Sequence, residues 1–203
     1  MDTKIWRERW EERSRVSDAM ARDGVGGLTE AERHALGGYV LDRLDLRPDQ
    51  RVLEVGCGTG WYLRQIEERA AEVVGTDISG GMLSHHTGKA TLIECEASEV
   101  DFPDESFDRI LMFGVSHYFP DMAHFGGVIR NLFRMLRRDG LIFIGDVYFS
   151  PSLSAEYTYF DVAEVYGLLV SMDTAFSVNA QPRVKRDFHR PFGLKNDIII
   201  RKD

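Results

Sequence analysis

The sequence predicts an α/β fold: a mostly parallel, doubly wound sheet with helices on both faces and a small helical segment ahead of it. Three observations carry that prediction. From Arg51 onward, short apolar runs alternate with stretches of helical period. One of these runs ends in a glycine-rich turn, Val52-Leu-Glu-Val-Gly-Cys-Gly-Thr-Gly60. One helical stretch is unusually clear: Met122, Phe125, Ile129, Leu132, Phe133 and Leu136 recur at helical spacing, and Asp139-Gly140 supplies the stop.

Taken in order, residues 4–22 read as a helix with aromatic and charged faces, carrying Trp6 and Trp10 four positions apart. Gly24–Gly27 breaks it. Thr29-Glu-Ala-Glu32 then has the capping-box pattern that opens a second helix, running to about Leu44. Pro48 closes this segment, so residues 1–50 form a helical N-terminal cap and residues 51–203 the sheet domain. Strands are expected at Arg51–Val55, Glu72–Thr76, Thr91–Cys95, Phe107–Phe113 and Leu141–Asp146. Helices between them start near Gly60, Ser79 and Asp121. A late helix at Ser154–Met172 is apolar almost all round, which calls for cover on two sides, by the sheet and by a partner subunit of a homodimer. Ala175–Asn179 and Asp197–Ile200 read as the last strands, separated by the basic stretch PRVKRDFHRP.

Bulk composition narrows the function classes. At 43% hydrophobic and 29% charged, the 203 residues suit one core. Acidic residues outnumber basic ones 33 to 25, a net charge of -8 that disfavours a nucleic-acid partner. Two cysteines, Cys57 and Cys95, make neither a disulfide framework nor a zinc pattern, and no metal site is expected. The charged start lacks the apolar core of a signal peptide, and no run of eighteen apolar residues spans a membrane. The expected compartment is the cytosol.

The glycine turn carries the chemistry. An apolar strand ends in Glu54-Val55 and runs into Gly56, Gly58 and Gly60, where a backbone without Cβ approaches a ligand closely. The GxGxG spacing departs from the dinucleotide fingerprint. The next strand ends at Asp77, in Val73-Val-Gly-Thr-Asp-Ile-Ser79. An acid there grips both hydroxyls of a ribose, or caps the helix that follows; beside a glycine loop, ribose binding leads.

With these residues the sequence resembles the class I S-adenosylmethionine-dependent methyltransferases, from about Arg51 to Asp146. LEVGCGTG is similar to the family's first motif and VVGTDIS to its second. Leu92 to Asp108, with its FPDESFD ending, and Leu136 to Ile144 resemble the later ones. The resemblance implies a Rossmann-like sheet of seven strands with the last antiparallel, and S-adenosylmethionine as cofactor, released as S-adenosylhomocysteine. It implies that Glu54, Gly56, Cys57, Gly58 and Gly60 floor the methionine portion and that Asp77 holds the ribose. Ile78 and Met82 would lie against the adenine, Glu96 would accept from its amino group, and Ala97 would support the ring. Phe113 and Gly114 would line the sulfonium end. The family often has Asp where Glu96 stands.

Methyl transfer is an in-line displacement with a good leaving group, so the protein mainly positions the nucleophile and shapes the field around it. A hydroxyl acceptor needs a base. His117, just after the fourth strand, is the first candidate and Asp146 the second; a hydrogen-bonding role near the cofactor is the equal alternative for His117. Trp6, Trp10, Tyr118 and Tyr148 are candidates for the acceptor pocket. If the basic stretch lies at the sheet's carboxyl edge, Arg183 and Arg190 face an acidic acceptor; a solvated hairpin is the plainer reading. His85 and His86 read as surface residues, and Cys57 and Cys95 as packing.

Rival readings lose specific residues. No Tyr has Lys four positions on, as short-chain oxidoreductases need, and His86-Thr-Gly-Lys-Ala90 lacks the leading Gly and the final Ser or Thr of a phosphate loop. Phe-Gly-Val-Ser-His after the fourth strand lacks the Pro-Pro of amino-type nucleic-acid methyltransferases. The expected activity is methyl transfer to an O- or N-atom of a small molecule, acidic or sugar-like. The alternative is a non-catalytic cofactor-binding sensor or subunit.

Overall fold

The structure, a computed structural model, describes residues 3–24, 27–149, 157–180 and 195–202. The cap comprises α1 (Thr3–Arg13), α2 (Ala19–Arg22) and α3 (Glu30–Leu44). The sheet domain follows as β1 (Arg51–Val55), α4 (Trp61–Ile66), β2 (Glu72–Asp77), α5 (Gly80–Leu83), β3 (Thr91–Glu94) and β4 (Phe107–Phe113). It ends with α6 (Met122–Met135), β5 (Leu136–Tyr148), α7 (Val162–Ser171), β6 (Ala175–Ala180) and β7 (Lys195–Lys202). The seven strands form one sheet in the order β3-β2-β1-β4-β5-β7-β6. β1 to β5 pair in parallel, and β7 runs antiparallel to both β5 and β6. This is the expected doubly wound sheet with an antiparallel last strand.

Alternation along the strands assigns each side chain to a face. Leu53, Val55, Ile110, Met112, Ile142, Ile144, Ile198 and Ile200 point to the face covered by α6 and α7, where Phe125, Ile129, Leu132, Val165 and Leu169 complete a core. Val52, Leu111, Leu141, Phe143 and Ile199 point to the opposite face, against Val40, Leu41 and Leu44 of α3 and Leu63 and Ile66 of α4. Glu54 follows Val52 onto that second face by the same alternation. The capping box at α3 is present as expected, with Glu32 N–H donating to Thr29 Oγ1 and Thr29 N–H to Glu32 Oε2.

Several boundaries differ from the sequence expectation. The helix expected over 4–22 is two: the chain leaves α1 after Arg13, and Asp18 caps α2 by accepting from Ala21 N–H. Arg13 Nε donates to the carbonyls of Ala21 and Arg22, folding the short helix back. The helix after Ser79 lasts one turn, Gly80–Leu83. β5 begins at Leu136 instead of Leu141, because buried Leu136 pairs with Phe107; Asp139-Gly140 is an irregularity within the strand (Asp139 φ +60°). The late helix starts at Val162. Within the described residues before it, Thr158 N–H reaches the His117 carbonyl and Phe160 N–H the Tyr148 carbonyl, ties that hold Tyr157–Phe160 outside the helix.

Candidate functional site

β1 delivers the glycine loop to the carboxyl end of the sheet. Gly56 and Cys57 both donate their N–H to the Thr76 carbonyl, at 2.7 and 2.9 Å, which locks the loop to the end of β2. Gly58 has φ +56°, and a Cβ built on it meets nothing nearer than Met82 Cε at 3.5 Å, so it leaves open space above the loop. Gly60 has φ +75° and points the other way: a Cβ there would sit 2.2 Å from His86 Nδ1.

Asp77 ends β2 beside this loop. Its carboxylate accepts from Gly58 N–H at 2.8 Å and from Ser79 N–H at 2.9 Å. Burial raises its pKa, and the backbone donors at Ser79 and Gly58 oppose the rise. Asp77 thus braces the turn that follows and also lines a cavity.

That cavity, of about 570 Å³, gathers most of the sequence-derived candidates. Glu54, Gly56, Cys57, Gly58, Asp77, Ile78, Met82, Glu96, Ala97, Phe113 and Gly114 all line it, as do Trp6, Trp10, His117, Tyr118, Asp146 and Tyr148. Gly60 does not; it holds the loop's back against His86. Arg183 and Arg190, with the rest of PRVKRDFHRP, lie outside the described residues. β6 ends at Ala180 and β7 starts at Lys195 opposite Tyr148, both at the sheet's carboxyl edge.

The cap forms one wall of the cavity. Glu11 of α1 accepts from Ser79 Oγ at 3.0 Å and from Gly81 N–H at 3.1 Å, fastening the cap to α5. Asp23 accepts from Thr59 Oγ1 at 2.8 Å and pairs with Arg33. Trp6 lies against Tyr118 with ring centroids 4.5 Å apart, and Trp10 meets the same ring edge-on at 5.7 Å.

Glu54 is 3% exposed, and its Oε2 has no hydrogen-bond partner. Burial, then the charge of Asp77, holds its pKa well above the usual carboxylate range, with Arg64 and the Leu63 N–H opposing. A buried oxygen left unpaired at the floor of a cavity fits a cationic ligand group, such as the ammonium of S-adenosylmethionine. The open space in front of Gly114, where a Cβ would meet no protein atom within 4 Å, fits the same ligand, as does Gly58, where a Cβ would meet only Met82 Cε at 3.5 Å. Burial also raises the Cys57 thiol and the Tyr62 phenol, so neither supplies an anion.

The candidate bases line the same cavity. His117 is 4% exposed, on a short 3-10 turn (Ser116–Tyr118) that follows β4. Asp146 is 7% exposed, with φ +64°, at a register shift between Ile144 and Val147 where β5 faces β7. An irregular strand end of this kind re-aims a side chain, here into the cavity.

Sequence reasoning missed Trp61, Tyr62, Arg33, Asp23 and Tyr157, which line the same cavity. An aromatic pair directly after the glycine loop was a usable signal for Trp61 and Tyr62. Nothing local marked Tyr157. The two histidines after Asp77 are a correction: the His86 side chain is buried, its Nε2 2.8 Å from Glu67 Oε1, and half-buried His85 has its Nε2 2.8 Å from the Ser14 carbonyl. Neither is a plain surface residue.

Comparison with known proteins agrees with this geometry. Residues 53–144 match the family model of a methyltransferase domain. A phosphoethanolamine N-methyltransferase of Triticum aestivum is 32% identical over 126 residues, covering 57% of this chain and 24% of the relative. The chain thus spans about a quarter of the length of that enzyme and of two Arabidopsis thaliana counterparts. Among solved structures, Haemonchus contortus phosphoethanolamine N-methyltransferase 1, in complex with phosphoethanolamine and S-adenosylhomocysteine, aligns with a TM-score of 0.76 at 15% identity. The alignment covers 98% of this chain and 50% of that one. The magnesium protoporphyrin IX methyltransferase of Synechocystis, with bound S-adenosylhomocysteine, aligns at 0.72 and 14% identity, over 99% of this chain and 100% of that one. At such identities the structures speak for the fold, and the matched domain for the family. Over residues 53–144 this chain matches a methyltransferase domain, and its fold is that of these Rossmann-like S-adenosylmethionine-dependent methyltransferases.

Proposed function

We propose that this chain transfers a methyl group from S-adenosylmethionine to an O- or N-atom of a small molecule. The observation that carries the reading is one continuous cavity joining the Glu54 to Gly58 loop and Asp77 to the His117 and Asp146 end. In this reading Asp77 takes the ribose hydroxyls, Ile78, Met82, Glu96 and Ala97 surround the adenine, and the glycine loop with Glu54 takes the methionine portion. The bound cofactor supplies a methyl carbon activated by a sulfonium leaving group. His117, or Asp146 as second choice, takes the proton of the acceptor, and the cap helices exclude water from the reacting atoms. Residues 1–50 thus serve as the wall of the site and residues 51–203 as its floor.

No helix among the described residues is long and apolar enough to cross a membrane. The outer face of α7, with Val162, Tyr166 and Val170 each more than 40% exposed, supports a homodimer. The test is turnover with labelled S-adenosylmethionine across a panel of amines, phenols, carboxylates and sugar phosphates. His117→Ala and Asp146→Asn are expected to lower kcat while cofactor affinity stays within about twofold. A folded protein that binds cofactor yet methylates nothing in the panel supports the sensor reading instead.

A further inference from the structure

We propose that the aromatic end of the cavity is an acceptor subsite for an amine, so that the product is a methylated ammonium. This rests on the methyltransferase reading above and narrows it.

Five rings line that end and touch one another. Trp6 lies 4.5 Å from Tyr118 and, nearly parallel, 6.2 Å from Tyr157. Tyr157 stacks in turn near Tyr148 at 6.1 Å. His117 sits among them, 4.1 Å from Tyr118 and 4.9 Å from both Tyr148 and Tyr157. Trp6 and Tyr148 are buried, at 7% and 2% exposed, so the wall is held in place by packing. Aromatic walls of this composition attract organic cations through the ring quadrupole, most strongly where water is excluded.

The charges point the same way. Among the described residues, the lining holds five acidic side chains, on Asp23, Glu54, Asp77, Glu96 and Asp146, of which Asp23 is paired with Arg33 and burial raises the pKa of Glu54 and Asp77, against two guanidinium groups, on Arg13 and Arg33. Both guanidinium groups are engaged: Arg13 Nε donates to two carbonyls of α2, and Arg33 pairs with Asp23 while stacking on Trp61. The described wall therefore offers an anion little.

The step balances with the groups present. The acceptor enters as an ammonium and gives its proton to His117 or Asp146. The freed nitrogen lone pair forms the new bond to the methyl carbon. The carbon–sulfur bond breaks with its electrons staying on sulfur, and the positive charge passes to nitrogen, against the ring faces.

Choline and its neutral carbon isostere, dimethylbutanol, separate charge from shape; benzoate probes the anionic alternative. Each is titrated calorimetrically into wild-type protein saturated with S-adenosylhomocysteine. Choline is expected to bind at least roughly tenfold more tightly than the isostere, with benzoate weaker still. Tyr157→Leu is expected to weaken choline severalfold, while Tyr157→Phe, which keeps the ring, restores it. Equal binding of choline and the isostere, preferential binding of benzoate, or indifference to Tyr157→Leu overturns the amine subsite. Failure of S-adenosylhomocysteine itself to bind overturns the methyltransferase reading, and the subsite with it.

Discussion

Glu54→Gln tests the electrostatics of the site through the stability of the fold. The Glu54 carboxyl is buried at the end of β1, and its Oε2 is unpaired. Burial, and after it Asp77, raises its pKa well above the ordinary value. In the unfolded chain the same group ionises near about 4.3. Between that pH and the higher value in the fold, the folded chain holds one more proton than the unfolded chain, so stability falls as pH rises. One proton corresponds to about 1.4 kcal/mol per pH unit. Asp77, also raised by burial, adds a slope of its own in both proteins, so the difference between them reports Glu54 together with its coupling to Asp77. Urea unfolding of both proteins at about pH 5, 6 and 7 measures it. The variant is expected to gain on the wild type by up to about 1.4 kcal/mol for each unit of rising pH. The buried amide N–H of glutamine adds a cost that does not vary with pH, so the slope and not the offset is decisive. Parallel stability curves refute the reasoning.

Gly60→Ala combines a positive φ with a Cβ driven into His86, and is expected to cost about 1–3 kcal/mol by thermal unfolding. His86→Ala in the same background relieves the steric part, and a double-mutant cycle reads the coupling; additive effects contradict the assigned contact. Thr29→Ala removes the capping box that opens α3 and is expected to cost about 1 kcal/mol, with an unchanged melting temperature as the contrary result.

What was legible in the sequence follows from how local its causes are. β1 and β4 were read to the residue because their apolar runs end at sharp changes of composition. The onset of α3 was legible because Thr29 and Glu32 cap within one turn. The glycine loop and Asp77 were legible because their side chains, or the lack of one, serve the backbone nearby. The break between α1 and α2 was not, since it depends on Arg13 reaching back to two carbonyls. Tyr157 was placed on a helix because its neighbours are apolar. The bonds that hold its segment extended come from His117 and Tyr148, distant in sequence. His86 looked like a surface residue because its partner, Glu67, lies on the far side of β2 in the chain. Local chemistry announces itself, whereas contacts across the fold do not.

The central claim is tested most directly by calorimetric titration of the purified protein with S-adenosylmethionine and, separately, S-adenosylhomocysteine, repeated on Asp77→Ala and Asp77→Asn. The account predicts binding on the order of micromolar for the wild type. It predicts a loss of roughly a hundredfold in the alanine variant, as two charge-assisted hydrogen bonds to the ribose disappear. The asparagine variant, which keeps one acceptor for the backbone, should fall between them. A folded wild-type protein that binds neither ligand, or binding indifferent to both substitutions, would contradict it.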